Sequence, residues 1–477
     1  MKSRQLFLVL YRLFLCAVLF PLVGAASLYA QDVTAQDPNI SAITEVDTNR
    51  PGGGIHVDPN GLVLRVSSEL TLQQRLVAGT AARNRLPADV FAYSPMRCIS
   101  LNRLEKNIAE ADGKITEEMM FLAGLQQITY VFYFSDSKDI VIAGPAEGWI
   151  PGNDRTMVGI RTLQPVLELR HLVTALRAYV PGGNGGKIVG CSIDPTLEGN
   201  MRMLRFVQQF NSTPGGTNQE FIRGIRESIG NQTVRVDGVP ATTHAAQMMV
   251  AADYRMKRMA LGADPAPVRG FQSFINNTEP NLPNTAFRWY FVPDYDSVLV
   301  TEDRTGMQLV GKGVKLVGEN ELLDAQGNAV AVPGGLDRGS AAFTRSFTQN
   351  YPQIARQTLV FAQLKNWIDM LICAAHIQRE DFYGKSDWSM AFFGSEEKYK
   401  LETYTTPKEV EPVVEARLFG RGQRQQLIAP VGGGIVIEAE RALDAEHAKL
   451  DKNGKIAAWQ KQMALDLPEG VWWWDVR

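Results

Sequence analysis

Paired carboxylates at a strand-to-helix junction are the first residues in this chain with the types and spacing to do chemistry. In "GCSIDPTLEG" (190–199) an alternating run ends at Asp194 and a helical run opens near Thr196, which sets Asp194 and Glu198 close together. Two carboxylates so placed can divide acid and base roles, as in sugar hydrolysis. The plainer reading is preferred: Asp194 forms the turn before Pro195, and Glu198 complements the helix dipole. A second pair, Glu147 with Trp149, lies in "DIVIAGPAEGWIPGND" (139–154). An aromatic face beside a carboxylate suits a sugar or a cation, but the same residues suit a sharp exit from a strand with the indole turned into the core. On that preferred reading the strand stops near Pro145, Trp149 is buried, and Glu147 is replaceable at little cost.

Other signatures fail on their spacing. Gly144 and Gly148 are followed by no lysine and no helix start, so no phosphate loop is formed. "IAEADGKITEEM" (108–119) and "KLDKNGKIAAWQ" (449–460) imitate calcium loops, with glycine sixth and isoleucine eighth. Their first and twelfth positions hold Ile108 and Met119, then Lys449 and Gln460, where the oxygen cage needs carboxylates. Helix–turn–helix connections account for both. The histidines, His56, His171, His244, His376 and His447, lie at no zinc-ligand spacing from one another or from a cysteine, and neither HExxH nor GxSxG occurs. No metal and no cofactor is therefore expected. Glu147, Trp149, Asp194 and Glu198 remain as the binding candidates, and no residue is assigned a catalytic role.

The elements that must position these residues begin after a leader. Lys2 and Arg4 precede the apolar "LFLVLYRLFLCAVLFPLVGAASLYA", the pattern of a signal peptide over 1–30. Its unbroken apolar part, Leu13 to Leu22, is short of the roughly 20 residues that a bilayer span needs. Cys16 follows Phe14 and Leu15, not the small residue of a lipid-attachment site. An exported protein, periplasmic or extracellular, without a transmembrane anchor is expected. Loss of the leader's three cations takes the formal charge from −2 to −5 without long runs of either sign, which excludes nucleic acid as a partner class. Cys98, Cys191 and Cys373 are too few for a disulfide framework, though one bridge is permitted.

Residues 31–50 are polar and aperiodic and read as a disordered lead-in. "GIHVDPNGLVLRV" and "ITYVFYF" with "DIVIA" read as hairpins. "QPVLELRHLVTALRAYV" is an amphipathic helix with Leu169, Leu172, Val173, Leu176 and Val180 on one face. "KIVGCSI" and "QTVRVDGV" are strands; "TLEGNMRMLRFVQQF", "NQEFIRGIRESIG" and "THAAQMMVAADYRMKRMALG" are helices. The proline- and asparagine-rich text around residue 266 suggests a division into 51–265 and 266–477. The second part opens on a β-meander over "FRWYFVPDYDSVLVTEDRTGMQLVGKGVKLVGE" and then turns helical. The terminal "WWWD" reads as a strand with one indole face buried. Hairpins mixed with helices make the fold class α+β, in two packed domains or one large one.

"DIVIAGPAEGW", "QPVLELRHLVTALRA", "GCSIDPTLEG" and "YPQIARQTLVFAQLKNWIDM" together are similar to the recurring blocks of a family of exported proteins of unknown function found mainly in planctomycete bacteria. That resemblance implies export and a globular body, and it brings no assigned activity. The expectation is a non-catalytic binding or structural component of the cell envelope, with a glycan or protein partner. The alternative, which leaves catalysis open, is a hydrolase acting on an envelope polysaccharide through carboxylates near Asp194 and Glu147.

Overall fold

Tyr130–Phe134 and Asp139–Ala146 pair antiparallel, as their alternation and the "SDSK" turn predict. Both faces of this hairpin are covered, so its residues sort by parity: Val131 and Ile142 enter one core, while Phe132 and Val141 enter another beneath the helix Lys455–Met463. The second strand continues through Pro145, one residue further than expected. Between the pairs Ser94↔Ala146 and Arg97↔Gly144 the neighbouring strand carries an extra residue, so the ladder is irregular where proline has no amide to give.

In the computed structural model the described residues run from 71 to 476, apart from 153–155, 213–216, 266–267, 279–284, 295–297, 324–328, 332–336, 420–423 and 429–430. The signal peptide, the lead-in, His56 and the hairpin expected at 54–66 lie outside them. What is described falls within one compact unit, Gly52–Arg477.

The fold is α+β, built on two seven-stranded sheets. The first runs in spatial order Lys449–Leu450, Val298–Val300, Gly306–Leu309, Tyr130–Phe134, Asp139–Ala146, Ser94–Ser100, Trp473–Asp475. The second runs Ala329–Ala331, Val314–Leu323, Thr285–Pro293, Val431–Ile437, Val189–Asp194, Gln232–Asp237, Glu409–Val410. Each sheet takes strands from both sides of residue 266, so the segments 51–265 and 266–477 share their sheets. The expected meander is divided. Thr285–Pro293 pairs with Val314–Leu323 in the second sheet, whereas the hairpin between them crosses to the first, where Gly306–Leu309 finds the free edge of Tyr130–Phe134. Sequence alternation gives the strands but not their partners.

A single core takes in one face of each sheet together with the helices Leu169–Ala178, His244–Ala260 and Leu359–Arg379. Leu169, Leu172, Val173 and Leu176 face it as predicted; Val180 lies past the helix end and is exposed. The helix His244–Ala260 is buried nearly all round, and Thr243 caps its start by accepting from the Ala246 amide (3.2 Å). In "GGG" (432–434) the middle residue has φ +109, and a Cβ there would lie 2.0 Å from the Trp289 carbonyl oxygen, so only glycine fits. Cys98, Cys191 and Cys373 are buried free thiols, and no described helix is long and apolar enough to cross a membrane.

Candidate functional site

The four residues singled out from the sequence do not converge. Glu147 is buried at 1 % exposure. Its Oε1 accepts from Gln126 Nε2 (2.7 Å) and from the Thr162 amide (2.9 Å) and hydroxyl (2.7 Å), and its Oε2 accepts from the Arg161 amide (3.2 Å). Trp149 is wholly buried and donates from Nε1 to Glu117 (3.0 Å). Asp194 Oδ1 accepts from Arg288 (3.0 Å) and from the Gly433 amide (3.1 Å). Glu198 is exposed on the first turn of the helix Leu197–Ser212. Glu147 and Asp194 share no hydrogen-bonding partner. The calcium-like text at 449–460 is a strand, turn and helix instead of two helices, and Asp451 uses its carboxylate to accept from the Asn453 (3.2 Å) and Ile456 (2.6 Å) amides.

Near Asp194 the sheet covers a buried ion pair. Lys257 Nζ donates to Asp253 Oδ2 (2.8 Å), one helical turn away, and to the carbonyls of Ile193 (2.9 Å) and Gly433 (3.2 Å). Burial pushes the Asp253 carboxyl up to about 6, against the pull of Lys257. A folded-state value above the unfolded one favours folding while the group is protonated. This contribution is complete below about pH 4 and is lost as pH rises through about 6, at a cost on the order of 3 kcal/mol. Denaturant titrations at pH 4 and pH 7 should show this fall in the wild type and a flatter profile in Asp253→Asn. Equal slopes in the two would contradict it.

Another polar cluster among the described residues joins two stretches far apart in the chain. His171 and His244 each sit in the first turn of a helix, and the two helices bring His171 Nε2 and His244 Nδ1 to 2.7 Å, with the ring centroids 4.9 Å apart and the planes 17° apart, so the rings meet end to end and nearly coplanar. One nitrogen donates and the other accepts, so the rings share one proton between them. Glu168 joins them, and the three side chains each offer a ligand atom within 4.8 Å of the others. All three are buried, at 4 %, 7 % and 2 % exposure for Glu168, His171 and His244.

Arg170 frames the cluster. Its Nε pairs with Glu168, its Nη1 pairs with Glu402 (3.2 Å) and also donates to the Tyr404 hydroxyl, and its guanidinium lies 5.2 Å from the Tyr404 ring centroid. Tyr404 in turn sets its ring edge-on to His244 (4.9 Å), and Trp367 stands edge-on to His171 (6.3 Å). Burial, and then the Arg170 charge, push the His171 pKa down to about 3, so this imidazole is neutral at physiological pH. Arg170, His171, Thr174, Thr243, His244, Leu401 and Glu402 line a small cavity with room for a water-sized guest. Sequence reading passed over this site. Glu168 and His171 are three apart at a helix start and were legible as a pair, but His244 is 73 residues away and meets them only through packing.

Comparison with known families places part of this region. Residues 191–274 match the model of a family described as a protein of unknown function (DUF1598). The match holds Asp194, His244, Asp253 and Lys257, while Glu168, His171 and Glu402 lie outside it. No curated protein and no solved structure matches the chain. Residues 191–274 thus carry a domain of unknown function within a larger α+β body.

Proposed function

We propose that the chain is an exported, non-catalytic binding component of a bacterial cell envelope, related to the exported proteins of planctomycetes that its sequence blocks resemble. One observation carries the preference for binding over polysaccharide hydrolysis. The carboxylates on which hydrolysis would rest, Glu147 and Asp194, are committed to backbone amides, to Gln126 and Thr162, and to Arg288, instead of facing each other across a cleft. Acid and base groups need a shared substrate position, and these two carboxylates have no hydrogen-bonding partner in common.

A protein partner is favoured by the helix Leu72–Arg85, which exposes Leu72 (71 %), Leu76 (64 %) and Val77 (67 %) within its first two turns. Fractionation and N-terminal sequencing of the native protein should find it outside the cytoplasm with its first residue between 26 and 31. Crosslinking in intact cells should trap an envelope protein, and Leu76→Glu should abolish that adduct without lowering stability by more than about 0.5 kcal/mol. An intact Met1 on a cytoplasmic protein would overturn the export reading, and an adduct indifferent to Leu76→Glu would remove this surface from it.

A further inference from the structure

We propose that Glu168, His171 and His244 bind one divalent transition-metal ion of the zinc class. The donor set is two imidazole nitrogens and a carboxylate oxygen, which suits zinc and its neighbours and not calcium or magnesium, whose shells need six or more oxygens. The two facing nitrogens stand 2.7 Å apart. Tetrahedral bonds of 2.0–2.1 Å put ligand atoms about 3.3 Å apart, so the ion is admitted when the rings part and each swings by roughly 35° to turn its facing lone pair from its neighbour toward a common point. The ring that donates in the His171–His244 hydrogen bond moves its proton to its other nitrogen, and both facing lone pairs then point at the metal with no change in net charge.

The surroundings are those of a held site. Both histidines are fixed in helical first turns against Trp367 and Tyr404. Arg170 grips Glu168 through Oε2, as outer groups do for ligating carboxylates. The charges facing the site are Glu168, Glu402 and Arg170, a net negative balance that favours a cation. The cavity beside the rings, bounded by Thr174, Thr243 and Glu402, leaves a position for a water as fourth ligand. Three protein ligands and a water describe an open site, able to take a further donor from a partner. This proposal departs from the expectation that no metal is bound.

The inference does not depend on the envelope reading: a cytoplasmic location would sink that reading and leave this one standing, whereas a silent titration would do the reverse. The untagged full chain, stripped with chelator, should be titrated calorimetrically with zinc and, as a control, calcium. One equivalent of zinc should bind, calcium should not, and zinc should raise the unfolding temperature by linkage. His244→Gln and Glu168→Gln should each weaken zinc binding at least about 100-fold, the upper range found even for outer-shell changes. His376→Gln, a buried histidine packed on Phe382 instead, should leave the affinity unchanged. Cobalt bound to the wild type should give the intense visible absorption of a four- or five-coordinate ion, a readout that does not require any variant to fold. Absence of saturable zinc binding to the wild type, octahedral cobalt, or equal affinity in folded His244→Gln would overturn the proposal.

Discussion

Arg97→Ala is expected to lower the unfolding free energy by about 3–5 kcal/mol, because it leaves three buried carbonyls without a donor, at about 1–3 kcal/mol each, besides parting a half-buried ion pair. The Arg97 side chain is fully buried in the strand Ser94–Ser100, directly across from Asp475 in the terminal strand. Its Nε and Nη2 meet the two Asp475 oxygens at 2.8 and 3.0 Å, a bidentate fork. The remaining hydrogens go to the carbonyls of Asp89 (2.8 Å), Val90 (3.2 Å) and Ala123 (2.5 Å), and the guanidinium lies 4.5 Å from the Trp473 ring centroid. Truncation would strand these carbonyls and release the last strand. Arg97→Lys should recover only part of the loss, because an ammonium cannot serve a carboxylate fork and three carbonyls at once. Urea titrations of the three proteins provide the measurement. A loss under about 1 kcal/mol for Arg97→Ala would mean that the clamp is not structural.

Trp149→Ala is expected to cost a similar amount, about 3–5 kcal/mol, as large-to-small aromatic substitutions in cores do. The indole is fully buried with Phe121 at 5.6 Å, in a cluster with Val90, Ile150, Val158 and Val166. Glu147→Ala should not be the mild control that its sequence suggests. Removing a buried carboxylate leaves the amides of Arg161 and Thr162 and the Gln126 side chain without their acceptor, so a loss of about 3 kcal/mol is expected. Denaturant titration of both variants tests this, together with acrylamide quenching taken as the difference between wild type and Trp149→Phe. A readily quenched Trp149 whose removal leaves stability intact would reverse the assignment and return this loop to the list of ligand sites.

Local periodicity was enough to locate most elements, because a strand or helix that buries one face must repeat its apolar residues at 2 or 3.6 positions. Thus Leu169–Ala178, the hairpin at 130–146 and the strand–helix succession from 189 to 260 follow from the text alone, and so does the inward Trp149. The terminal indoles follow only in part: Trp474 joins the core beneath the helix Lys455–Met463, whereas Trp472, just before the strand, and Trp473 pack with the other core, and Trp473 donates to Glu118. Side-chain charge is different, since a carboxylate carries no mark of where it will be placed. Glu147 looked free and is encased; Asp194 looked like half of a pair and is bound to Arg288.

What only the tertiary structure decided is every relation between residues distant in the chain. The hairpin at 298–309 left its neighbours for the other sheet because edge pairing depends on which strand lies beside it in space. Arg97 met Asp475 across 378 residues, and His171 met His244 across 73. The physical reason is common to these cases: hydrogen bonds and ligand geometry act over about 3 Å, and only the packing of sheets and helices on a common core sets distances on that scale between segments that sequence spacing leaves unrelated.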